Sequence, residues 1–189
     1  MEYTHLGRTG LSVSRLVLGT MNFGQHTPET DAHRILDGAL DLGVNVVDTA
    51  DIYGGTAGPG TTEEVIGRCF AQGGQRRERT VLATKVYSSM RGFGLAEDKD
   101  TWPNSAKLSA LHIRRACDAS LKRLQTDVID LYQMHHVDRG TPVDEIWEAF
   151  SVLHQQGKVL YFGSSNFAGW HLAQSQEAAT RRGMLGLVS

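Results

Sequence analysis

Short apolar runs rich in β-branched residues alternate along the whole chain with longer segments in which apolar side chains recur at helical spacing. That alternation constrains the fold more than any single motif. Parallel strands joined by crossover helices produce it, whereas a helical bundle or an antiparallel sandwich does not. The first run, Leu16-Val17-Leu18-Gly19-Thr20, follows Leu6-Gly7-Arg8-Thr9-Gly10-Leu11, where two glycines around a polar pair predict a small hairpin. A helix is expected next. Ala32, Ile35, Leu36, Ala39 and Leu40 fall on one helical face, Pro28 suits a first turn, and Gly43 suits the C′ position. Val44-Asn45-Val46-Val47-Asp48 reads as a strand. Thr61-Thr62-Glu63-Glu64 then reads as a capping box ahead of Val65, Ile66, Cys69 and Phe70, with Gly73 closing the helix.

The unit continues to repeat. Strand Val81 to Lys85 leads through a long loop to a helix with Ile113, Cys117, Ser120 and Leu124 on one face. Strand Val128 to Met134 leads to a helix carrying Ile146, Ala149, Phe150 and Leu153, ended by Gly157. Strand Val159 to Gly163 leads to a helix from about Trp170 to Arg182, and Leu185-Gly186-Leu187-Val188 begins a further strand. Six strands thus alternate with five helices, which places the chain in the α/β class.

Two architectures compete. A doubly wound dinucleotide-binding sheet carries GxGxxG after its first strand, and Gly19-Thr20-Met21-Asn22-Phe23-Gly24 lacks the middle glycine and the spacing. The other is a (β/α)8 barrel, whose chemistry collects at the C-terminal ends of its strands. The titratable residues decide between them. Asp48 ends the second strand, Lys85 the third, His135 the fourth, and Ser164, Ser165 and Asn166 the fifth, with Tyr53 in the loop just past Asp48. In a barrel those ends form one ring. An ammonium near a phenol favours phenolate, a carboxylate holds the ammonium in place, and a histidine beside them can hydrogen-bond a carbonyl oxygen or relay a proton. Such a proton donor, without metal or covalent nucleophile, needs a partner that supplies hydride, and a nicotinamide does so.

Several features carry less. Gly54 to Gly60 resembles a phosphate cradle but lacks the GK[ST] ending, so it reads as a flexible loop. Arg76-Arg77-Glu78-Arg79 reads as a solvated turn, and His112 and His154 as surface or structural histidines. Cys69 and Cys117 share no metal-binding or redox spacing and read as small buried hydrophobes, so neither a metal site nor a disulfide is expected. A net charge of −2 offers no electrostatic footprint for nucleic acid or an anionic membrane. The N-terminus lacks the pattern of a signal peptide, and no apolar run approaches a membrane span, so a cytoplasmic protein is expected.

Asp48-Thr49-Ala50-Asp51-Ile52-Tyr53-Gly54, Thr84-Lys85, Asp130 to His135 and Gly163-Ser164-Ser165-Asn166-Phe167 resemble four successive signatures of the aldo-keto reductase family. Leu6 to Leu11 and Leu18-Gly19-Thr20-Met21 resemble its barrel-capping hairpin and first strand. The resemblance implies a TIM-type (β/α)8 barrel with an N-terminal β-hairpin. Residues 1–189 would form one domain, incomplete at its C-terminal end and truncated to about six βα units, because such barrels run to roughly 250 residues. The last strands, a ring-stacking aromatic and the phosphate grips would follow Ser189. It also implies roles. Tyr53 would be the general acid, Lys85 with Asp48 would depress its pKa, and His135 would orient the substrate oxygen. The nicotinamide would lie near Gly19, Thr20, Met21 and Asp48, with its carboxamide on Ser165 and Asn166. NADPH is the usual cofactor of the family and NADH the alternative. The substrate would be a small aldehyde or ketone, lined by the stretch from Ser88 to Lys107 with Phe93 and Trp102, and by His136. A second reading is a cofactor-binding regulatory barrel, or an inactive truncated one, without useful turnover, since the family includes channel β subunits. Oligomeric state is not legible.

Overall fold

In the computed structural model, which describes residues 1–90 and 102–189, five parallel strands stand side by side in their order along the chain. They are β3 (Leu18–Gly19), β4 (Val46–Asp48), β5 (Val81–Val86), β6 (Ile129–Met134) and β7 (Val159–Ser164), with β3 and β7 at the edges. Before them, β1 (Tyr3–His5) and β2 (Ser12–Ser14) form the expected antiparallel hairpin. Helices α1 (Glu29–Asp41), α2 (Thr61–Ala71), α3 (Ala110–Leu124), α4 (Val143–Gln155) and α5 (Gly169–Arg181) follow β3 to β7 in turn. Each helix packs on the next, α1 on α2 through α4 on α5. A doubly wound sheet would divide its helices between two faces and break that series.

The pleat sorts the side chains. Leu82, Thr84 and Val86 of β5 and Tyr132 and Met134 of β6 face the helices, and Tyr132, Met134 and Val86 join Trp147, Phe150 and Phe162 in the main core. Trp147, Tyr132 and Phe150 are fully buried, and the Trp147 indole satisfies its N–H on Ser175 Oγ at 3.2 Å. The opposite face carries Ala83, Leu131 and Val188, with Leu6 of the hairpin and Tyr161 packed against them. The hairpin is tied to the start of β4 by Asn45. Its side chain accepts from Ser14 N at 2.7 Å and donates to Ser12 O at 3.1 Å.

Several sequence expectations are corrected. The first strand is confined to Leu18–Gly19, because Leu16 and Val17 are exposed. Val44 and Asn45 lie outside β4, the latter spent on the hairpin. Ile35 is exposed, and α1 buries Ala32, Leu36 and Leu40 instead. The capping box is not formed. Gly60, at φ +87°, is the N-cap of α2, so Thr61 is already helical and its hydroxyl donates back to Gly58 O at 2.8 Å. Glu63 of the same turn is fully buried. The run from Leu185 to Val188 makes a single parallel bridge, Leu187 to Phe162, rather than a full strand. Arg76 and Arg77 are not a solvated turn: Arg76 pairs with Asp37 at 2.7 Å and Arg77 with Asp130 at 3.0 Å, tying the turn to α1 and β6. His112 is buried on α3, and its desolvation lowers its pKa. Gly43, Gly73 and Gly157 do follow their helices with positive φ, as expected. Cys69 and Cys117 are buried free thiols, with burial pushing the second up to about 12. Among the described residues, no helix is long and apolar enough to cross a membrane.

Candidate active site

Parallel in-register pairing brings the strand ends to one level. Gly19 pairs with Asp48, Asp48 with Ala83, Lys85 with Gln133, and Gln133 with Gly163. Lys85 and Gln133 share a face with Ala83 and Leu131, so their side chains point away from the helices.

Lys85 is 5% exposed, and its ammonium finds three acceptors. It donates to Asp48 Oδ2 at 2.6 Å, to Thr49 O at 2.8 Å, and reaches Tyr53 Oη at 3.4 Å. Three donors meet three acceptors, which is how a nearly buried ammonium stays charged without an orphaned proton. The same nitrogen lies 5.0 Å from the centre of the Tyr53 ring. His135 meets the same ring edge-on with centroids 5.8 Å apart. Burial first, then the Lys85 charge and His136, lowers the His135 pKa from 6.5 to about 4. The imidazole is therefore neutral at pH 7, with one N–H to donate. Its Nδ1 is buried and has no partner among the described residues. Asp48, Tyr53, Lys85 and His135 thus come together as one group.

The loop that carries Tyr53 is anchored from outside the ring. Arg123 of α3 donates to Glu63 Oε2 at 2.7 Å, Thr84 donates to Glu63 Oε1 at 2.6 Å, and the Arg123 side chain lies against Gly60. Asp51 is buried beside them. Its carboxyl is pushed well above the usual range by burial and secondarily by the Glu63 charge.

At the end of β7, Asn166 takes a left-handed φ of +59°. Its Nδ2 donates to His135 O at 2.9 Å and to Ser165 Oγ at 3.1 Å, while its Oδ1 accepts from no described residue. Thr20, fully buried, donates to Asp48 O at 2.9 Å. Gly19 has open space where a Cβ would stand, and Met21 is exposed beside it.

The model of the aldo/keto reductase family matches residues 15–185. The chain belongs to the aldo/keto reductase family. It is 59% identical over 190 residues to the uncharacterized oxidoreductase YrpG of Bacillus subtilis strain 168, covering 100% of this chain and 56% of that protein. It is 33% identical over 203 residues to versiconal hemiacetal acetate reductase of Aspergillus parasiticus, covering 100% of this chain and 58% of that one. It is also 33% identical over 189 residues to a probable voltage-gated potassium channel subunit beta of Arabidopsis thaliana, covering 100% of this chain and 53% of that one. The chain thus spans 53% to 58% of the length of these relatives.

Among the described residues, the two expected substrate-lining residues border different cavities. His136 stacks on His135 at 5.0 Å and lines an open cleft with Tyr87, Lys107, Asp138, Arg139 and Asn166. Trp102, 74% exposed, borders a separate cavity beside α3, with Asp51, His112 and Arg123. The expectation for Phe93 lies outside the described residues. Asp138 organises the cleft loop by accepting from Leu108 N, Gly140 N and Thr141 Oγ1. Although burial opposes it, these bonds hold its carboxyl below the ordinary value.

One residue of the site escaped the sequence reading. Gln133 donates from Nε2 to Asp48 Oδ1 at 3.0 Å. A lone polar residue inside the apolar run Leu131-Tyr132-Gln133-Met134 was its signal.

Proposed function

We propose that this chain carries the proton-transfer centre of a carbonyl reductase that uses NADPH, and that residues 1–189 form one domain whose sheet is part of the wall of a (β/α)8 barrel. The observation that carries this reading is the convergence of Lys85 on Asp48, Thr49 O and Tyr53 Oη, with a neutral His135 edge-on to the same phenol. Tyr53 donates its hydroxyl proton to the substrate carbonyl oxygen. The Lys85 ammonium stabilises the phenolate left behind, and Asp48 keeps that ammonium aimed. His135, held neutral, donates its ring N–H to the same oxygen and so orients the carbonyl for protonation. Water then returns a proton to Tyr53.

The nicotinamide site is tested by donor and acceptor count. A carboxamide offers one acceptor and an NH2, and here Ser165 Oγ has its own proton to donate while Asn166 Oδ1 accepts from no described residue. Gly19 leaves room above the end of β3. The residues fit. Gly19, Thr20, Met21, Asp48, Ser165 and Asn166 would hold the ring, and NADPH would supply hydride to the carbonyl carbon. The substrate class is a small aldehyde or ketone, and the proposed compartment is the cytoplasm.

Loss of nicotinamide absorbance when the full chain meets NADPH and 4-nitrobenzaldehyde tests the reading. Cofactor binding seen by fluorescence without turnover supports instead a regulatory role, the reading favoured by the likeness to a protein named as a channel β subunit.

A further inference from the structure

We propose that Gln133 is a positioning residue that sets the orientation of the Asp48 carboxylate; the proposal rests on Tyr53 being the proton donor described above. Asp48 has two oxygens with different tasks. Oδ2 holds Lys85 at 2.6 Å, and Oδ1 accepts from Gln133 Nε2 at 3.0 Å. The side chain of Asp48 is 30% exposed, so the salt bridge alone leaves it free to rotate about its last bond. A second donor, fixed on a neighbouring strand, removes that freedom.

The framework around Gln133 is built for this reach. Gln133 is 8% exposed and sits in register between Lys85 on β5 and Gly163 on β7. A Cβ added at Gly163 would stand 3.1 Å from Gln133 Cγ and 2.1 Å from Ser189 Oγ. Glycine at that position leaves the lane in which the Gln133 side chain runs. The amide orientation follows from its partners. A carboxylate accepts only, so the NH2 must face Asp48, and the amide oxygen then faces the Ser189 hydroxyl, 3.5 Å away. A residue placed only to fill space would need neither the amide nor the glycine beside it.

The test uses the full chain and two substitutions. Gln133→Leu keeps the bulk and removes the donor. Gln133→Glu keeps the shape and turns the donor into a second carboxylate facing Asp48. With 4-nitrobenzaldehyde and NADPH, kcat of Gln133→Leu is expected to fall about 10- to 100-fold, the scale of one lost hydrogen bond to a charged group, with both KM values within about twofold of wild type. Gln133→Glu is expected to be as slow at neutral pH and to recover as pH is lowered toward about 5, because a carboxyl facing a carboxylate takes up a proton readily and then donates as the amide did. Steric damage would give no such recovery. A readout independent of turnover is the exchange rate of the Lys85 ammonium, followed by its nitrogen-15 signal in the unliganded chain and assigned with Lys85→Met. Exchange is expected to quicken at least about tenfold in Gln133→Leu. Wild-type kcat in both variants together with an unchanged ammonium signal overturns the positioning role. A wild-type chain that reduces no carbonyl compound overturns the carbonyl-reductase reading instead, and the ammonium signal still decides for or against Gln133.

Discussion

Lys85 Nζ and Asp48 Oδ2 lie 2.6 Å apart, although 37 positions separate them in the chain, because β4 and β5 are adjacent and parallel. The contact joins the carboxylate at the end of one strand to the cation at the end of the next, and from there the ammonium reaches Tyr53.

Lys85→Met should lower kcat for carbonyl reduction by at least about 100-fold, since both the support of the phenolate and the partner of Asp48 are lost together. Lys85→Arg should not restore it. A planar guanidinium cannot aim three donors at Asp48, Thr49 O and Tyr53 Oη as a compact ammonium does. Steady-state kinetics on the two variants check this.

Stability should depend on His135 below neutral pH. Its pKa falls from 6.5 to about 4 in the folded chain through burial, so the unfolded chain binds more protons between those values. Stability contributed by the neutral imidazole is therefore complete above pH 6.5 and is lost as pH falls toward about 4, by up to about 3 kcal/mol. Denaturant titrations of wild type and His135→Phe at a series of pH values should show a shallower decline in the variant across that window. Parallel declines would refute the assignment.

Arg123→Met should cost about 3–5 kcal/mol, because it leaves the fully buried Glu63 carboxylate without its cation. Replacing both partners with apolar residues of similar size should cost less than the single change. Urea unfolding of the single and double variants measures the difference, and an Arg123→Met chain as stable as wild type would show that the pair is not needed.

Much of this architecture is legible in the sequence because strand ends advertise themselves. Asp48, Lys85 and His135 each close an apolar run, and Gly43, Gly73 and Gly157 each close a helix. What escaped depends on register or on backbone angles. Gln133 sits inside its strand, and only the pairing of Lys85 with Gln133 and of Gln133 with Gly163 reveals that it faces Asp48. The pattern Thr61-x-x-Glu64 reads as a capping box because it does not report the positive φ of Gly60, which moves the helix start by one residue, and no local spacing reports that Glu63 is buried against Arg123. Asp37 and Asp130 found Arg76 and Arg77 through helix and strand packing that no local spacing encodes. Trp102 stands out by its long loop and His136 by following His135, and neither signal reports that, among the described residues, they border different cavities.

The central claim is that Tyr53 is the proton donor, and the most direct measurement is NADPH oxidation with 4-nitrobenzaldehyde by the full chain and by Tyr53→Phe, with cofactor affinity followed by fluorescence. The account predicts turnover in wild type and its loss in the variant, with cofactor affinity within about threefold, since only the phenol hydroxyl is removed. Near-normal reduction by Tyr53→Phe would contradict it.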